Sequence, residues 1–75
     1  MDTLEKIISI IHQTTNFKDK IELKNHLKND LYLDSFDMLM LIHAIEDNYS
    51  IQIDEEELKN IETVEDIVQR LESKI

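Results

Sequence analysis

The residues with the clearest capacity for chemistry are Asp34, Ser35 and Asp37, which lie where an irregular acidic segment gives way to a helical pattern. The chain has four serines, Ser9, Ser35, Ser50 and Ser73. Of these, only Ser35 stands between carboxylates at the predicted start of a helix, where backbone N–H groups point outward and favour a phosphate. Taken alone, these residues favour an ordinary helix N-cap at Ser35, a role that Asp34 could fill equally well.

Catalysis by the chain itself is not expected. A serine nucleophile needs a neighbouring general base, whereas His43 lies eight residues along the same predicted helix, about 12 Å away and about 80° round its axis. The chain has no cysteine for a thiol nucleophile and no glycine for a phosphate-binding loop. The three histidines lack close metal-ligand spacing, and residues 54–57 are better explained as an acidic helix start than as a Ca²⁺ site. We expect no catalytic residue and no metal.

The net charge of −9 is concentrated in the middle of the chain, because residues 29–58 contain nine Asp and Glu and no Lys or Arg. Nucleic acid and anionic membranes are disfavoured as partners, since both attract basic surfaces. A protein with a basic surface is the natural complement, and the acidic field would speed the encounter. The alternative is a charge that only keeps the chain soluble.

Helix boundaries are predicted from periodicity and caps, since glycine and proline are absent. The pattern predicts a first helix over residues 3–14, a second over 35–49, a short third over 54–60 and a fourth after an N-cap at Thr63. This order predicts an all-α fold, a small four-helix bundle with three longer helices and one short one, in a single domain over residues 1–75.

The connection over residues 15–34 is unusually long, which is often a sign of function. Its scattered apolar residues suggest packing against the helices, and Ile21 to Leu27 could form a short turn of helix. The first predicted helix is interrupted by Glu5 and Lys6 and is too short for a signal peptide or a membrane span, so a soluble cytoplasmic protein is expected.

The second predicted helix is apolar on two sides. Its expected core stripe is Met38, Leu41, Ile42, Ile45 and Tyr49. A second stripe, on a different side, is Phe36, Leu39, Met40 and His43. Since the same helix carries Asp37, Glu46 and Asp47, full burial is implausible, and the second stripe is a candidate interaction surface beside Ser35. The alternative is that the long connection covers this stripe.

The segment around Ser35 resembles the prosthetic-group site of acyl carrier proteins, whose signature is Asp-Ser-Leu at the start of the second helix. Here the tripeptide is Asp-Ser-Phe, and the resemblance continues through residues 45–57 and 61–68. Three positions depart from the family pattern: Tyr32 stands where glycine is usual, Phe36 replaces the common leucine, and Met40 falls where an acidic residue is frequent.

The resemblance implies a 4′-phosphopantetheine arm on Ser35, transferred from coenzyme A by a phosphopantetheinyl transferase. The terminal thiol would hold acyl groups as thioesters and present them to acyl-transferring and synthase enzymes. Basic residues on those enzymes would meet an acidic set of partner-binding residues, which is Asp34, Asp37, Glu46 and Asp47. The apolar part of the contact would come from the second stripe, which is Phe36, Leu39, Met40 and His43.

The expected function is a monomeric, non-catalytic acyl carrier for fatty-acid biosynthesis. One alternative is a specialised carrier of polyketide, peptidyl or D-alanyl intermediates. Phe36 favours it, since Asp-Ser-Phe occurs in D-alanyl carriers, whereas Asp37 argues against it, because glycine is frequent there in those proteins. The other alternative is an acidic docking module without a prosthetic group.

Overall fold

Four α-helices organise residues 2–75, which are the residues that the computed structural model describes. Helix α1 is Thr3–Thr14, α2 is Ser35–Tyr49, α3 is Glu55–Lys59 and α4 is Val64–Lys74. The predicted all-α bundle of three longer helices and one short helix is confirmed, with the long connection between α1 and α2. Within residues 2–75, no helix is long and apolar enough to cross a membrane.

Polar N-caps set the start of each helix in this chain without glycine or proline. Asp2 caps α1, Asp34 caps α2, Asp54 caps α3 and Thr63 caps α4. At α2, α3 and α4 the cap side chain accepts from the backbone N–H of the third helical residue, whose own carboxylate accepts from the N–H of the cap residue. This reciprocal capping box satisfies two backbone donors at each helix start.

The hydrophobic core is one cluster of buried side chains to which α1, α2, α4 and the long connection all contribute. Helix α1 contacts both α2 and α4. The predicted core stripe of α2 is confirmed: Met38, Leu41, Ile42 and Ile45 are buried and Tyr49 is half-buried. This packing fixes the rotation of α2 and so decides which of its residues face outward.

The long connection is packed as predicted, but the helical turn suggested for Ile21 to Leu27 is wrong. The backbone of this segment bonds instead to the residues that begin α4. The N–H of Leu27 donates to the carbonyl of Glu62 at 2.8 Å, and the N–H of Val64 donates to the carbonyl of Asn25 at 3.0 Å. These bonds to residues far along the chain satisfy backbone groups that a local helix would otherwise have paired.

Helix α3 is the least embedded of the four helices, since none of its five residues is buried. One ion pair ties it to the bundle: Lys74 Nζ of α4 lies 2.9 Å from Glu57 Oε1, and both side chains are largely covered. Leu58 is half-buried against the core. The Glu46 side chain also accepts from the N–H of Ile53 at 2.8 Å, which fixes the link that leads into α3.

Candidate functional site

Ser35 is exposed at the first helical position of α2, and its neighbours do the capping. Asp34 Oδ1 accepts from the N–H of Asp37 at 2.8 Å, and Asp37 Oδ2 accepts from the N–H of Asp34 at 3.2 Å. The N-cap is therefore Asp34, which resolves the alternative left open by the sequence. Within residues 2–75 the Ser35 hydroxyl makes no side-chain hydrogen bond. This hydroxyl is thus free for chemistry.

The first turn of α2 is suited to a phosphate ester on Ser35. The backbone N–H groups of Ser35 and Phe36 have no partner inside the helix, because the first N–H groups of any helix lack one. They point outward together with the positive end of the helix dipole. The carboxylates of Asp34 and Asp37 oppose an anion there, but each directs one oxygen to a backbone N–H. The local donors and dipole therefore offset part of that repulsion.

A groove of about 620 Å³ begins at Ser35 and runs between α2, α3 and the long connection. Apolar side chains form much of its lining: Leu27, Met38, Leu39, Leu58 and Ile61. Charged or titratable groups form the rest of the lining: His26, Lys28, Glu55, Lys59 and Glu62. A flexible group attached to Ser35 would therefore have an apolar channel directly beside its point of attachment.

Helix α3 contributes Glu55, Leu58 and Lys59 to this groove, so the anchoring of α3 shapes it. The Lys74 ammonium hydrogen bonds the Glu57 carboxylate and, with the N–H of Asp54, holds the pKa of Glu57 below its ordinary value. Glu57 therefore keeps its charge, and with it the bond to α4, to a lower pH than an ordinary glutamate would. The sequence could not predict that α3 lies beside Ser35, because the residues of a helix do not indicate which other helix it will contact.

The second stripe faces solvent. Phe36 is 67% exposed, Leu39 47% and Met40 42%, and His43 is exposed as well. These exposures show that the long connection does not cover the stripe, although Leu39 borders the groove that His26 and Leu27 also line. An exposed apolar stripe of this kind on a small protein is typical of an interaction surface. Its use by a partner stays a prediction.

The four acids predicted to meet partners differ in their internal bonds. Asp34 and Asp37 hold the capping box of α2, and Glu46 accepts from the N–H of Ile53. Asp47 is exposed, and within residues 2–75 its carboxylate makes no hydrogen bond or ion pair. Charge reversal at Asp37 or Glu46 would therefore disturb the fold as well as any docking. Charge reversal at Asp47 would change the surface charge and leave these internal bonds in place.

Tyr32 is the residue beside the site that sequence analysis left without a role. Its backbone has φ 59°, in the left-handed region, and its side chain is 79% exposed. The signal was present, because glycine is usual at this position in the family that the segment resembles, and glycine is the residue that adopts positive φ at least cost.

A separate observation concerns metals: within residues 2–75 no group of three or more His, Asp or Glu could hold one.

Comparisons with known proteins agree with this geometry. Residues 5–71 match the family of proteins with a phosphopantetheine attachment site. The acyl carrier protein of Helicobacter hepaticus is 32% identical over 74 residues, with 97% of each chain covered. The acyl carrier protein of Phytoplasma australiense is 36% identical over 73 residues, with 96% of each chain covered.

Solved structures show the same similarity. A candidate acyl carrier protein from Mycobacterium tuberculosis superposes with a TM-score of 0.93 at 27% identity, with 99% of this chain and 100% of the other covered. The acyl carrier protein of Enterococcus faecalis superposes with a TM-score of 0.79 at 27% identity, with 97% of this chain and 94% of the other covered. Sequence and fold lead to one conclusion: the chain belongs to the acyl carrier protein family, whose members carry 4′-phosphopantetheine.

Proposed function

We propose that this protein carries acyl intermediates as thioesters on a 4′-phosphopantetheine arm attached to Ser35, in fatty-acid biosynthesis in the cytoplasm. The observation that carries the proposal is that different residues at the start of α2 provide the helix cap and the free hydroxyl. Asp34 and Asp37 satisfy the backbone donors, which leaves the exposed Ser35 hydroxyl unbonded at the mouth of an apolar groove. A hydroxyl needed for the cap would not be available in this way.

Loading is a phosphoryl transfer to Ser35 Oγ. The oxygen attacks the β-phosphorus of coenzyme A, the bond from that phosphorus to the bridging pyrophosphate oxygen breaks, and adenosine 3′,5′-bisphosphate leaves with the electron pair. We assign the base that takes the hydroxyl proton to the transferase, because His43 lies eight residues along the helix and the carboxylates of Asp34 and Asp37 are engaged with backbone N–H groups. The chain's own part is to present Oγ and to place the resulting phosphodiester in the field of the helix start.

The residues around Ser35 fit such a group. Once attached, the arm supplies a terminal thiol on which an acyl chain is held as a thioester. The apolar groove residues Met38, Leu39 and Leu58 can cover an aliphatic chain and remove it from water. No residue of the chain is assigned a catalytic role, so the chemistry on the acyl group belongs to partner enzymes.

The groove also favours an aliphatic cargo over an aminoacyl cargo. A D-alanyl or other aminoacyl group is small and charged, so it gains little from an apolar lining, whereas a fatty acyl chain gains with every buried methylene. Loading the protein with acetyl and octanoyl phosphopantetheine distinguishes them. We expect the octanoyl form to melt at a higher temperature than the acetyl form. Equal melting temperatures would remove the support for fatty-acid cargo and favour the specialised carriers.

The partners proposed are the phosphopantetheinyl transferase and enzymes that present basic residues to α2. The nine acids of residues 29–58 would steer these enzymes over the Debye length of about 8–10 Å. Asp47→Lys should slow association and weaken its salt dependence while the melting temperature changes little. Glu72→Lys, the same charge change at an exposed position on α4, is the matched control. Equal rates in both variants would show that total charge, not the surface of α2, sets the encounter.

The direct test of the carrier function is the intact mass after incubation with coenzyme A and a phosphopantetheinyl transferase of broad acceptor range. Wild-type protein should gain the mass of one phosphopantetheine, and Ser35→Ala should gain none while it remains folded. Ser9→Ala serves as the control, because it removes an exposed hydroxyl from α1 and should load like wild type. An unmodified wild-type protein would instead support a docking module without a prosthetic group.

A further inference from the structure

The backbone at Tyr32 adopts a conformation that a bulky side chain disfavours. Its φ is 59°, and among residues 2–75 Ser50 is the one other residue with positive φ. Ser50 is the C-cap of α2, a position where the left-handed conformation is common. Tyr32 ends no helix, and for a bulky residue outside a cap a positive φ is an outlier.

The neighbours of Tyr32 explain its backbone but not its side chain. Leu31 and Leu33, on either side of Tyr32, are both buried and anchor this stretch in the core. The N–H of Leu33 donates to the carbonyl of Leu27 at 3.1 Å, and that of Leu31 to the carbonyl of His26 at 3.2 Å. These bonds fix the backbone conformation of this stretch, and glycine or asparagine would adopt it at lower cost. The local structure therefore does not require tyrosine.

The ring of Tyr32 also does little for the core. It is 79% exposed, and within residues 2–75 its hydroxyl makes no hydrogen bond. It borders a shallow depression at the N-terminal end of α2 that Phe17 and Asp37 also line. A strained position that holds a large exposed aromatic side chain points to a use outside the fold.

Tyr32 lies three residues before Ser35, so their Cα atoms are at most about 11 Å apart. Phe36, 67% exposed, follows directly after Ser35. Two exposed aromatic residues and the carboxylates of Asp34 and Asp37 thus lie within three residues of Ser35 along the chain, in a segment with no Lys or Arg. Aromatic side chains bury much area at little entropic cost and often anchor protein interfaces.

An enzyme that loads Ser35 must bring its own groups and coenzyme A within bonding distance of Oγ, so it must cover this surface. We infer that Tyr32 is a partner-contact residue, whose ring enters an apolar pocket, rimmed by basic residues, on the phosphopantetheinyl transferase. The basic rim complements the acids around Ser35, and the apolar pocket complements the ring. This inference rests on the proposed carrier function and adds a residue that selects the partner.

The test compares Tyr32→Gly, Tyr32→Asn and Tyr32→Phe as full-length proteins, loaded with coenzyme A by a phosphopantetheinyl transferase that loads wild type. Tyr32→Gly and Tyr32→Asn should raise KM about tenfold, the size of a moderate interface anchor, with kcat little changed. Their melting temperatures should stay equal or rise, because both residues tolerate positive φ. Tyr32→Phe should retain the wild-type KM. Ile75→Ala, which removes an exposed apolar side chain at the C-terminal end, is the control.

Each result decides the question. A wild-type KM in Tyr32→Gly would overturn the inference and leave the carrier function intact. A loss in Tyr32→Phe as large as that in Tyr32→Gly would overturn the apolar pocket, since only the hydroxyl differs. A wild-type protein that no transferase loads would instead overturn the carrier function itself. A raised KM together with an undiminished melting temperature cannot come from unfolding, so it would support the contact.

Discussion

The most informative perturbation of this protein is to substitute Asp34 and Ser35 one at a time, which separates the structural role of the first from the chemical role of the second. Asp34 Oδ1 accepts the N–H of Asp37 at 2.8 Å, so Asp34→Ala removes the cap of the longest helix. Loss of such a cap costs about 1 kcal/mol, and loss of a carboxylate at the helix start about 0.5 kcal/mol more. We therefore expect Asp34→Ala to lower the free energy of unfolding by about 1.5 kcal/mol.

Ser35→Ala should behave in the opposite way. Ser35 occupies the first helical position and its hydroxyl is not used by the fold, so alanine loses nothing there. Alanine also has the higher helix propensity, by at most about 0.5 kcal/mol. The free energy of unfolding should therefore stay equal or rise slightly, while loading with phosphopantetheine is abolished. Asp34→Ala keeps the hydroxyl and should still be loaded, provided that it is assayed below its melting temperature.

Thermal denaturation and intact mass measure the two effects separately. For a domain of this size, about 1 kcal/mol shifts the melting temperature by about 4–8 °C. Asp34→Ala should then melt about 6–12 °C below wild type, and Ser35→Ala within about 3 °C of it or above. If Ser35→Ala melts as low as Asp34→Ala, Ser35 shares the cap, and the assignment of the cap and the free hydroxyl to different residues is refuted. Loading of Ser35→Ala at the wild-type level would refute the attachment site.

Three further predictions concern stability. The buried hydroxyl of Tyr49 has no hydrogen-bond partner within residues 2–75, so Tyr49→Phe should raise the free energy of unfolding by about 1 kcal/mol in urea denaturation and leave the packing against Lys6 in place; a loss would reveal a partner for the hydroxyl. Burial alone would raise the pKa of Asp66, but the N–H groups of Glu62 and Thr63 outweigh it and lower that pKa below its ordinary 3.8. The stability that this carboxylate contributes is thus present above pH 3.8 and is lost as the pH falls through the pKa of Asp66 in the folded protein. The difference in free energy of unfolding between wild type and Asp66→Asn should therefore shrink on acidification. A difference independent of pH would contradict this. Finally, moderate NaCl or millimolar Mg²⁺ should raise the melting temperature at neutral pH, because it screens the nine acids of residues 29–58; a flat salt titration would show that their repulsion is negligible.

The helices could be predicted because their signals are local. Asp34 and Thr63 precede apolar residues at helical spacing, and each begins a helix in the structure. The core stripe of α2 follows from the same spacing. Ser35 was singled out by its place between acids, but the choice of cap was open, since a serine and an aspartate in sequence order satisfy the same rule. Only the backbone geometry decides which oxygen reaches the N–H of Asp37.

The long connection could not be predicted, because its bonds are not local. The apolar spacing of Ile21 to Leu27 is compatible with a turn of helix, yet the N–H of Leu27 pairs with the carbonyl of Glu62, thirty-five residues away. The groove beside Ser35 has the same origin, since Leu58 and Ile61 reach it only after α3 has folded back towards α2. Tyrosine itself does not indicate the positive φ at residue 32; the indication came only from the glycine that is usual at this position in the family.

A carrier must hold its attachment site in a fixed position and must also release its cargo, and different helices of this protein suit these two requirements. Helices α1, α2 and α4 share the buried core, so they hold Ser35 in a fixed position for the enzymes that must find it. Helix α3 buries none of its residues and is held mainly by the bond between Lys74 and Glu57 and by the half-buried Leu58. Segments with few buried contacts open at a lower free energy than the core. On the proposed function, a groove with one rigid side and one lightly anchored side would cover an acyl chain between reactions and release it without unfolding the helix that carries Ser35.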